Sequence, residues 1–291
     1  MSERHRQGGV ALISVLLVTA LVTLIISDML ARQRLSLTSS ANQLQQQQLW
    51  QLALSGEAWA RQQLHDDLAT REEPLRVHLG QGWARNGNLF DIDGGQIRIR
   101  IEDLAGRFDL DTQRSTSRLA RARYQRLLAN LGLPHHDPAL LPQRPGADGK
   151  PQPFADSSEL ARLEQLDAAG LQRLRPHVAT FGGVALNLNT ASAEVLASLE
   201  GLDPAIARTL VQARPPQGYA SVQAFMEQPL LHGREVSSRE LGVDSRHFRA
   251  HLQVRLGERQ LYLASDLRLE RDGRINVLRR QLLAPDLSHP E

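Results

Sequence analysis

The chain begins with a short polar stretch followed by a long apolar run. Residues 10–26 are apolar except for three hydroxyl side chains, and residues 27–31 extend the run with one carboxylate, Asp28. A helix of about 17 to 25 apolar residues spans a bilayer, so residues 10–31 are long enough if Asp28 lies at the far interface. The pattern therefore predicts one membrane-spanning helix.

The helical pattern continues beyond the apolar run. Residues 32–68 contain neither a proline nor a glycine cluster. Small and apolar residues recur there at the three-and-four spacing of one helix face: Leu49, Leu52, Ala53, Gly56, Ala60 and Leu64. We therefore expect the membrane helix to run on, as one rod, into a folded domain.

Alternating apolar and polar residues predict two groups of strands. In the first group, residues 97–101 alternate isoleucine with charged side chains, after a turn-forming Asp-Gly-Gly sequence at residues 93–95. In the second group, residues 248–256, 261–269 and 274–278 follow one another with glycine-containing turns between them. This second pattern is typical of a three-stranded antiparallel meander at the end of the chain.

The region between the two groups of strands has a helical pattern. Helices are predicted at residues 119–131, 157–166, 168–174, 191–199, 204–213 and 221–226. The Asp203-Pro204 pair predicts a capped helix start, and Thr190 is expected to cap the helix at residues 191–199.

These elements together predict an α+β fold. We expect a long N-terminal transmembrane helix packed on a small antiparallel sheet, with an inserted all-helical domain that contains a helix-hairpin-helix-like element. The expected divisions are the transmembrane part at residues 10–31, the rest of the helix and the first strands at 32–111, the inserted domain at 112–240, and the strands that complete the sheet at 241–291.

Composition and charge exclude several classes of function. The chain has 34 Lys and Arg against 32 Asp and Glu, a net charge of +2, so it has no generally cationic surface for nucleic acid or anionic lipid. It has no cysteine, which excludes disulfides and thiolate chemistry. The sequence shows no phosphate-binding loop, nucleophile elbow or HExxH motif, so an enzyme is not expected.

Two groups of polar residues invite a metal-site interpretation. Asp91-Ile-Asp93-Gly resembles the start of an EF-hand loop, but Gln96 stands where that loop needs its glycine, and a strand pattern follows. A hairpin turn is therefore expected. The His-His-Asp sequence at residues 135–137 has no regularly spaced partner, so it is expected to be solvated surface.

Residues 186–207 resemble the helix-hairpin-helix of membrane-anchored DNA-uptake proteins. In that motif a Gly-x-Gly turn lets backbone N–H groups meet a phosphate. Here Asp203 replaces the second glycine, and Glu194 and Glu200 add negative charge. A packing scaffold is therefore favoured, nucleic acid is not expected as a partner, and a membrane-anchored DNA-binding protein stays the alternative.

The residues before the apolar run resemble a type IV prepilin-like signal. Basic residues at positions 4–6 oppose one acidic residue, which predicts a cytoplasmic N-terminus. In such signals a membrane-embedded peptidase cuts after the glycine that precedes the apolar helix. Residues 1–9 would then be a leader peptide, with Val10 the first mature residue and Ser14 the fifth. An uncleaved single-pass anchor is the other interpretation.

Three motifs and the closing strands from Phe248 to the end, in their order along the chain, resemble the type II secretion minor pseudopilin K family (GspK), and the resemblance covers nearly the whole chain. The first is Gly9-Val-Ala-Leu-Ile-Ser, with a residue other than Glu at the fifth mature position. The second is the sequence DLAGRFDLD from residue 103, where the family has D-x-x-G-R-F-N-L-N, so that Asp109 and Asp111 stand in place of Asn. The third is Asn187-Leu-Asn-Thr-Ala, similar to the family's N-x-N-T-A element.

The resemblance implies an assembly role and no catalysis. The prepilin peptidase would cut between Gly9 and Val10 and methylate the Val10 amine. The single-pass inner-membrane protein, with its bulk in the periplasm, would then be placed at the tip of a short pseudopilus that exports folded proteins across the outer membrane. The implied partners are the minor pseudopilins I and J, with H as a further candidate, the major pseudopilin, the prepilin peptidase and the inner-membrane secretion platform.

The resemblance also bears on Ser14 and on metal binding. Pilins and major pseudopilins have Glu at the fifth mature position, where its carboxylate pairs with the N-terminal amine of a neighbouring subunit. The Ser14 hydroxyl cannot neutralise that amine, so the chain is expected to start or cap the fibre. No cofactor is required, but calcium is a candidate, with these possible ligands: Asp91, Asp93, Asp109 and Asp111.

Overall fold

The computed structural model describes residues 7–69, 75–85, 87–114, 117–141, 154 and 156–284. The chain divides into a unit of residues Met1–Leu52 and a compact unit of residues Ala53–Glu291. In chain order the helices are α1 (Gln7–Leu64), α2 (Arg118–Asn130), α3 (Ala168–Leu174), α4 (Ala193–Leu196), α5 (Pro204–Gln212) and α6 (Val222–Met226). The strands are β1 (Asn88–Ile92), β2 (Gly95–Asp103), β3 (Phe108–Asp109), β4 (Val178–Ala179), β5 (Leu186–Asn187), β6 (Leu241–Gly242), β7 (His247–Leu256), β8 (Arg259–Leu269) and β9 (Ile275–Leu283).

Helix α1 is one continuous helix of 58 residues, as the sequence predicts. In the part of the chain that the structure describes, it is the one helix long and apolar enough to cross a membrane. Its hydroxyls bond within the helix: Thr19 donates to the Val15 and Leu16 carbonyls at 2.9 Å, and Thr23 donates to the Thr19 carbonyl at 2.7 Å. Because these polar groups have partners inside the helix, a hydrocarbon environment does not leave them unsatisfied.

The compact unit is built on a five-stranded antiparallel sheet. The strand order is β1-β2-β7-β8-β9, so the strand from the first predicted group pairs directly with the C-terminal meander. The hairpin turn at residues 93–94 and the turn after β7 confirm the predicted positions. Strand β1 was not predicted, because its consecutive Leu89 and Phe90 break the alternation and it lies at the sheet edge.

Residues 53–64 of α1 pack on one face of this sheet. Gly56 lies so close that a Cβ atom added there would stand 3.0 Å from Leu252 and 3.3 Å from both Ile97 and Ile99. Beside it, the buried Glu57 carboxylate accepts a hydrogen bond from the Ser265 hydroxyl at 2.6 Å, and Arg280 of β9 donates to both of its oxygens at 2.7 Å. The helix is therefore fixed to the sheet by close packing and by one ion pair with a buried carboxylate.

Helices are the main regular elements between β2 and β7, but the region is not all-helical as predicted, because it also contains short strands. Strand β3 pairs in parallel with β4, and β5 pairs in parallel with β6, each over two residues. These two-residue ladders are absent from the prediction because they are too short to show an alternating pattern. Two separate apolar cores form here, one around α2 and one around residues 188–241.

Two local predictions in this region need correction. Helix α4 covers only Ala193–Leu196, and its N-cap is Ser192, whose side chain accepts from the Val195 N–H. Thr190 is not the cap, because its hydroxyl donates instead to the Asp103 carboxylate at 2.6 Å. The expected cap of α5 is confirmed, since Asp203 caps that helix.

Candidate functional site

The predicted processing residues lie in the first turns of α1. Gly9, Val10 and Ser14 are all helical, and Ser14 follows Val10 by about one turn. Residues 1–6 of the predicted leader lie outside the described residues. Cleavage after Gly9, methylation of Val10 and the assembly role of Ser14 stay predictions at this point.

The four candidate metal-binding aspartates do not come together. Asp91 and Asp93 lie on the β1–β2 hairpin, where Asp91 accepts a hydrogen bond from the Gln96 side chain at 2.9 Å. Asp109 and Asp111 follow the other end of β2, roughly 25 to 30 Å away along a nine-residue strand. Gly94 at φ 74° forms the turn between β1 and β2, which confirms the predicted hairpin.

Asp109 and Asp111 hold a glycine-containing loop through backbone hydrogen bonds. One Asp109 oxygen accepts from the Gly183 N–H and from the Val184 N–H, and Asp111 accepts from the Gly182 N–H at 3.0 Å. Burial and the neighbouring Asp111 raise the pKa of Asp109 to about 6. Within the described ranges, no group of three or more His, Asp or Glu residues is placed to hold a metal ion. Calcium binding stays a prediction.

A buried polar cluster joins the sheet to the inserted region. One oxygen of Asp103, the last residue of β2, accepts from Ala105 N–H at 2.9 Å, and the other accepts from Asn187 Nδ2 at 2.8 Å and from the Thr190 hydroxyl. Asn187 also donates to the Val77 carbonyl at 3.1 Å. We name this cluster of Asp103, Asn187 and Thr190 the junction. Asp103 belongs to the DLAGRFDLD motif, and Asn187 and Thr190 belong to the N-x-N-T-A motif. The two motifs are therefore hydrogen-bonded to each other.

The junction extends further into the inserted region through Asn189. The Asn187 side-chain oxygen accepts from the Asn189 N–H at 3.0 Å. The Asn189 side chain in turn accepts from the Tyr219 N–H at 2.6 Å and donates to the Tyr219 carbonyl at 3.2 Å. Both asparagines are completely buried, so these bonds replace water for the polar groups of three separate segments.

The pH dependence of stability follows from Asp103. Burial raises the pKa of its carboxyl from the ordinary 3.8 to about 6, although four hydrogen bonds oppose this shift. Between these values the folded chain binds more protons than the unfolded chain, so the contribution of Asp103 to stability falls as pH rises. We expect Asp103→Asn to cost roughly 2 kcal/mol more near pH 4 than near pH 7 in urea unfolding of the detergent-solubilised protein. An equal cost at both pH values would contradict this account.

An ion pair between Arg123 and Glu200 holds α2 against the segment before α5. The buried Arg123 guanidinium forms two 3.0 Å bonds with the Glu200 carboxylate. It also donates to the Arg239 carbonyl at 2.8 Å and to the Ser237 carbonyl at 2.9 Å. Arg123 therefore connects α2 to the segment at Glu200 and to the segment at residues 237–239. The several N–H donors of its planar guanidinium make this possible.

The helix-hairpin-helix-like segment lacks a phosphate site. One Asp203 oxygen accepts from the Ala205 N–H at 2.8 Å and the Ile206 N–H at 2.9 Å. These are the backbone donors that would meet a phosphate at the start of α5. The Asp203 carboxylate already binds these donors, and its negative charge would repel a phosphate. Glu200 is paired with Arg123. The packing scaffold stays a prediction, and the DNA-binding alternative has no support.

The prediction of solvated surface at residues 135–137 is wrong for His136. Its ring is buried, with Nε2 2.8 Å from the Tyr124 hydroxyl and Nδ1 2.9 Å from the Pro134 carbonyl. Burial lowers the pKa of His136, which favours the neutral ring. The partner that allows His136 to be buried is the Tyr124 hydroxyl on α2. Because this partner comes from another element, the sequence around His136 does not indicate it.

The long helix and the sheet define a class of protein. One N-terminal helix, apolar in its first part, ends against an antiparallel sheet, which is the α+β class that the sequence predicts. The region inserted between the neighbouring strands β2 and β7 is held to the sheet by the junction.

Comparisons with known proteins identify the family. The sequence model described as "Type II secretion system (T2SS), protein K" matches residues 186–244, which include Asn187 and Thr190 of the junction. A type II secretion system protein K from Pseudomonas aeruginosa is 37% identical over 96% of this chain and 94% of its own length. One from Klebsiella pneumoniae is 33% identical over 87% of this chain and 90% of its own length. The chain belongs to the type II secretion system protein K family.

A solved structure has the same fold. It is a chain of the crystal structure of the GspK-GspI-GspJ complex from the type 2 secretion system of enterotoxigenic Escherichia coli. The match has a TM-score of 0.71 and 24% identity, and covers 84% of this chain and 99% of that chain. The α+β prediction is thereby confirmed. Membership of the protein K family makes the protein a minor pseudopilin of type II secretion.

Proposed function

We propose that this minor pseudopilin starts or caps the periplasmic pseudopilus and so supports export of folded proteins across the outer membrane. The observation that carries the proposal is Ser14. A subunit whose fifth mature residue is neutral lacks the carboxylate that would pair with the N-terminal amine of a further subunit. The inserted region, which is larger than the sheet it interrupts, would obstruct stacking of a subunit above it.

The proposal includes orientation and partners. The basic residues at positions 4–6 favour a cytoplasmic N-terminus, with the compact unit in the periplasm. The similarity to the Escherichia coli complex supports minor pseudopilins I and J as partners, with H as a further candidate. The major pseudopilin, the prepilin peptidase and the inner-membrane platform complete the set. Within the fibre, the N-terminal helices of the subunits form the core.

Mass spectrometry of the mature N-terminus tests the processing step. The protein is purified from a bacterium that has an active prepilin peptidase. We expect the first residue to be Val10 with a methylated amine. A chain that still begins at Met1 or Ser2 would contradict the pseudopilin mechanism. Restoration of secretion in a strain lacking its own protein K tests the function itself.

Ser14→Glu is expected to leave processing intact and to disturb assembly. The new carboxylate lies inside the apolar run, where an unpaired acidic residue costs about 2.5 to 3.5 kcal/mol. The cost is removed only if the carboxylate finds a neighbour's amine, which would move the subunit from the end of the fibre into its shaft. Co-purification with minor pseudopilins I and J measures assembly, and Ser14→Ala is the matched control. Wild-type recovery of the complex with Ser14→Glu would remove the role assigned to this position.

A further inference from the structure

A cleft lies between the sheet and the inserted region. Its volume is about 340 Å³, and its walls include Trp83, Arg100 and Arg107 on one side and Thr190 and Ser192 on the other. This volume is at the low end of the range for ligand sites, about 300 to 1,000 Å³. It has room for a side chain or two and is small for a cofactor. We call it the Arg100 cleft.

The charges around the Arg100 cleft leave one cation without a counter-charge. Arg107 is held by the Glu102 carboxylate at 2.6 and 2.7 Å, and Arg249 is held by Asp266 at 2.6 Å. Arg100 is exposed and, among the residues that the structure describes, has no carboxylate within ion-pair distance.

The other titratable groups facing the cleft do not supply that counter-charge. Asp103 lines the cleft, but its two oxygens are taken up by the junction and by the Ala105 N–H. The neighbouring His251 bonds to Glu102 at 3.1 Å, and burial lowers the pKa of this ring, so it is neutral near pH 7. The uncompensated charge is therefore the Arg100 guanidinium, a group suited to bidentate recognition of a carboxylate.

One exposed apolar side chain also lines the Arg100 cleft. This is Leu79, with 53% of its surface exposed, and the buried Trp83 lines the same cleft. An exposed leucine beside an unpaired arginine matches an occupant that has an apolar part next to its anion. A segment of another protein meets this requirement because its flanking residues can cover Leu79 while one acidic side chain enters the cleft.

The Arg100 cleft lies at the end of strand β2. Strand β1 pairs with β2 only as far as Ile99, so the cleft begins where that pairing ends. Residues from both faces of β2 line it there, Arg100 and Glu102 from one face and Ile101 and Asp103 from the other. The exposed Arg100 side chain is therefore open to a segment of another protein at this end of the strand.

We propose that the Arg100 cleft binds an acidic side chain on a short, partly apolar segment of another protein. The carboxylate chemistry rests on the cleft alone, and only its use in secretion rests on the proposed function. Charge complementarity selects the partner: the segment must carry Asp or Glu with an apolar neighbour. Arg100 supplies the charge, and Leu79 supplies the apolar contact.

A peptide titration tests the chemistry. The full-length protein in detergent micelles is titrated by calorimetry with acetyl-Gly-Leu-Glu-Leu-Gly-amide and with the same peptide carrying Gln in place of Glu. We expect saturable binding of the Glu peptide that weakens with salt, and about tenfold weaker binding of the Gln peptide. Arg100→Gln is expected to lose about tenfold in affinity for the Glu peptide, and Arg100→Lys less.

Arg98→Gln is the matched control. Arg98 lies two residues earlier on the same face of β2 and lines a different depression with Gln253 and Arg255. We expect this variant to bind the Glu peptide like the wild type. Equal losses in the Arg98 and Arg100 variants, equal binding of the two peptides, or no saturable binding by the wild type would each overturn the proposal.

A secretion assay separates this proposal from the proposed function. In a strain lacking its own protein K, the wild-type gene and Arg98→Gln are expected to restore secretion, whereas Arg100→Gln restores less. Equal secretion by both variants would show that the cleft has no partner in the cell and would overturn the proposal. If the wild-type gene itself fails, the proposed function is contradicted, and the peptide titration still decides the chemistry of the cleft.

Discussion

Gly9→Ala is expected to leave the chain unprocessed and to abolish secretion. The proposed cut follows this glycine, where the peptidase must approach the backbone closely, and a Cβ atom would stand in the way. A chain that keeps its charged leader stays in the inner membrane, because extraction into a fibre would draw those charges through the bilayer. Mass spectrometry of the purified protein, together with the amount of secreted protein, measures both effects.

The neighbouring glycine provides a control for Gly9→Ala. Gly8→Ala adds the same methyl group one residue earlier, away from the proposed bond. We expect this variant to be processed and to support secretion. If Gly9→Ala is processed like the wild type, the cleavage site is wrongly assigned. If both variants fail, the requirement lies in the helix start and not in the residue at the cut.

Asn187→Ala is expected to destabilise the protein by about 3 kcal/mol or more. The substitution leaves the Val77 carbonyl and the Asn189 N–H without their side-chain partners and removes one donor from the buried Asp103 carboxylate. Each buried group left unsatisfied costs about 1 to 3 kcal/mol. The loss falls on the contact between the sheet and the inserted region, so secretion is expected to decline along with stability.

Denaturant unfolding of the full-length protein in detergent measures the cost of Asn187→Ala. Asn276→Ala is the control, because Asn276 is exposed on β9 and its side chain bonds only to Glu270 among the described residues. We expect the control to change stability by no more than about 0.5 kcal/mol. A cost for Asn187→Ala as small as that of the control would show that the junction does not hold the two parts together.

The regular elements could be predicted because their signals are local. The isoleucines at residues 97–101 alternate with charges, and the structure buries them on one face of β2. The three-and-four spacing around Gly56 likewise predicts the face of α1 that meets the sheet. Each of these patterns extends over several consecutive positions, and the period identifies the element without knowledge of its partner.

The junction could not be predicted because its bonds are long-range. Asp103 and Asn187 are 84 positions apart, and nothing near either residue indicates the other. A Thr just before a helix predicts an N-cap, but the Thr190 hydroxyl donates to the Asp103 carboxylate instead. The resemblance to the family marks both motifs as important, and the structure adds that they bind each other.

The sequence predicts the processing residues but not the Arg100 cleft, for the same reason. Gly9, Val10 and Ser14 form a contiguous signal that is read from the order of polar and apolar residues. The unpaired charge of Arg100 depends on which carboxylates are already bound to Arg107 and Arg249, and the ion pair of Arg249 with Asp266 joins two different strands. The net charge of +2 is a sum over the whole chain, so it does not indicate that Arg100 lacks a counter-charge.

The insertion leaves the sheet and returns to it at paired positions. Asp103 is the register partner of Phe248, so the two strands are already side by side where the chain departs. Between β7 and β8 the same connection takes a two-residue turn at residues 257–258. The folded region between β2 and β7 thus takes the place of a hairpin loop. The hydrogen-bonded pairing of β2 with β7 continues without a break up to Asp103 and Phe248. The sheet can therefore tolerate changes in the size of the insertion between related proteins, because the hydrogen bonds of its strands do not depend on the length of the connection.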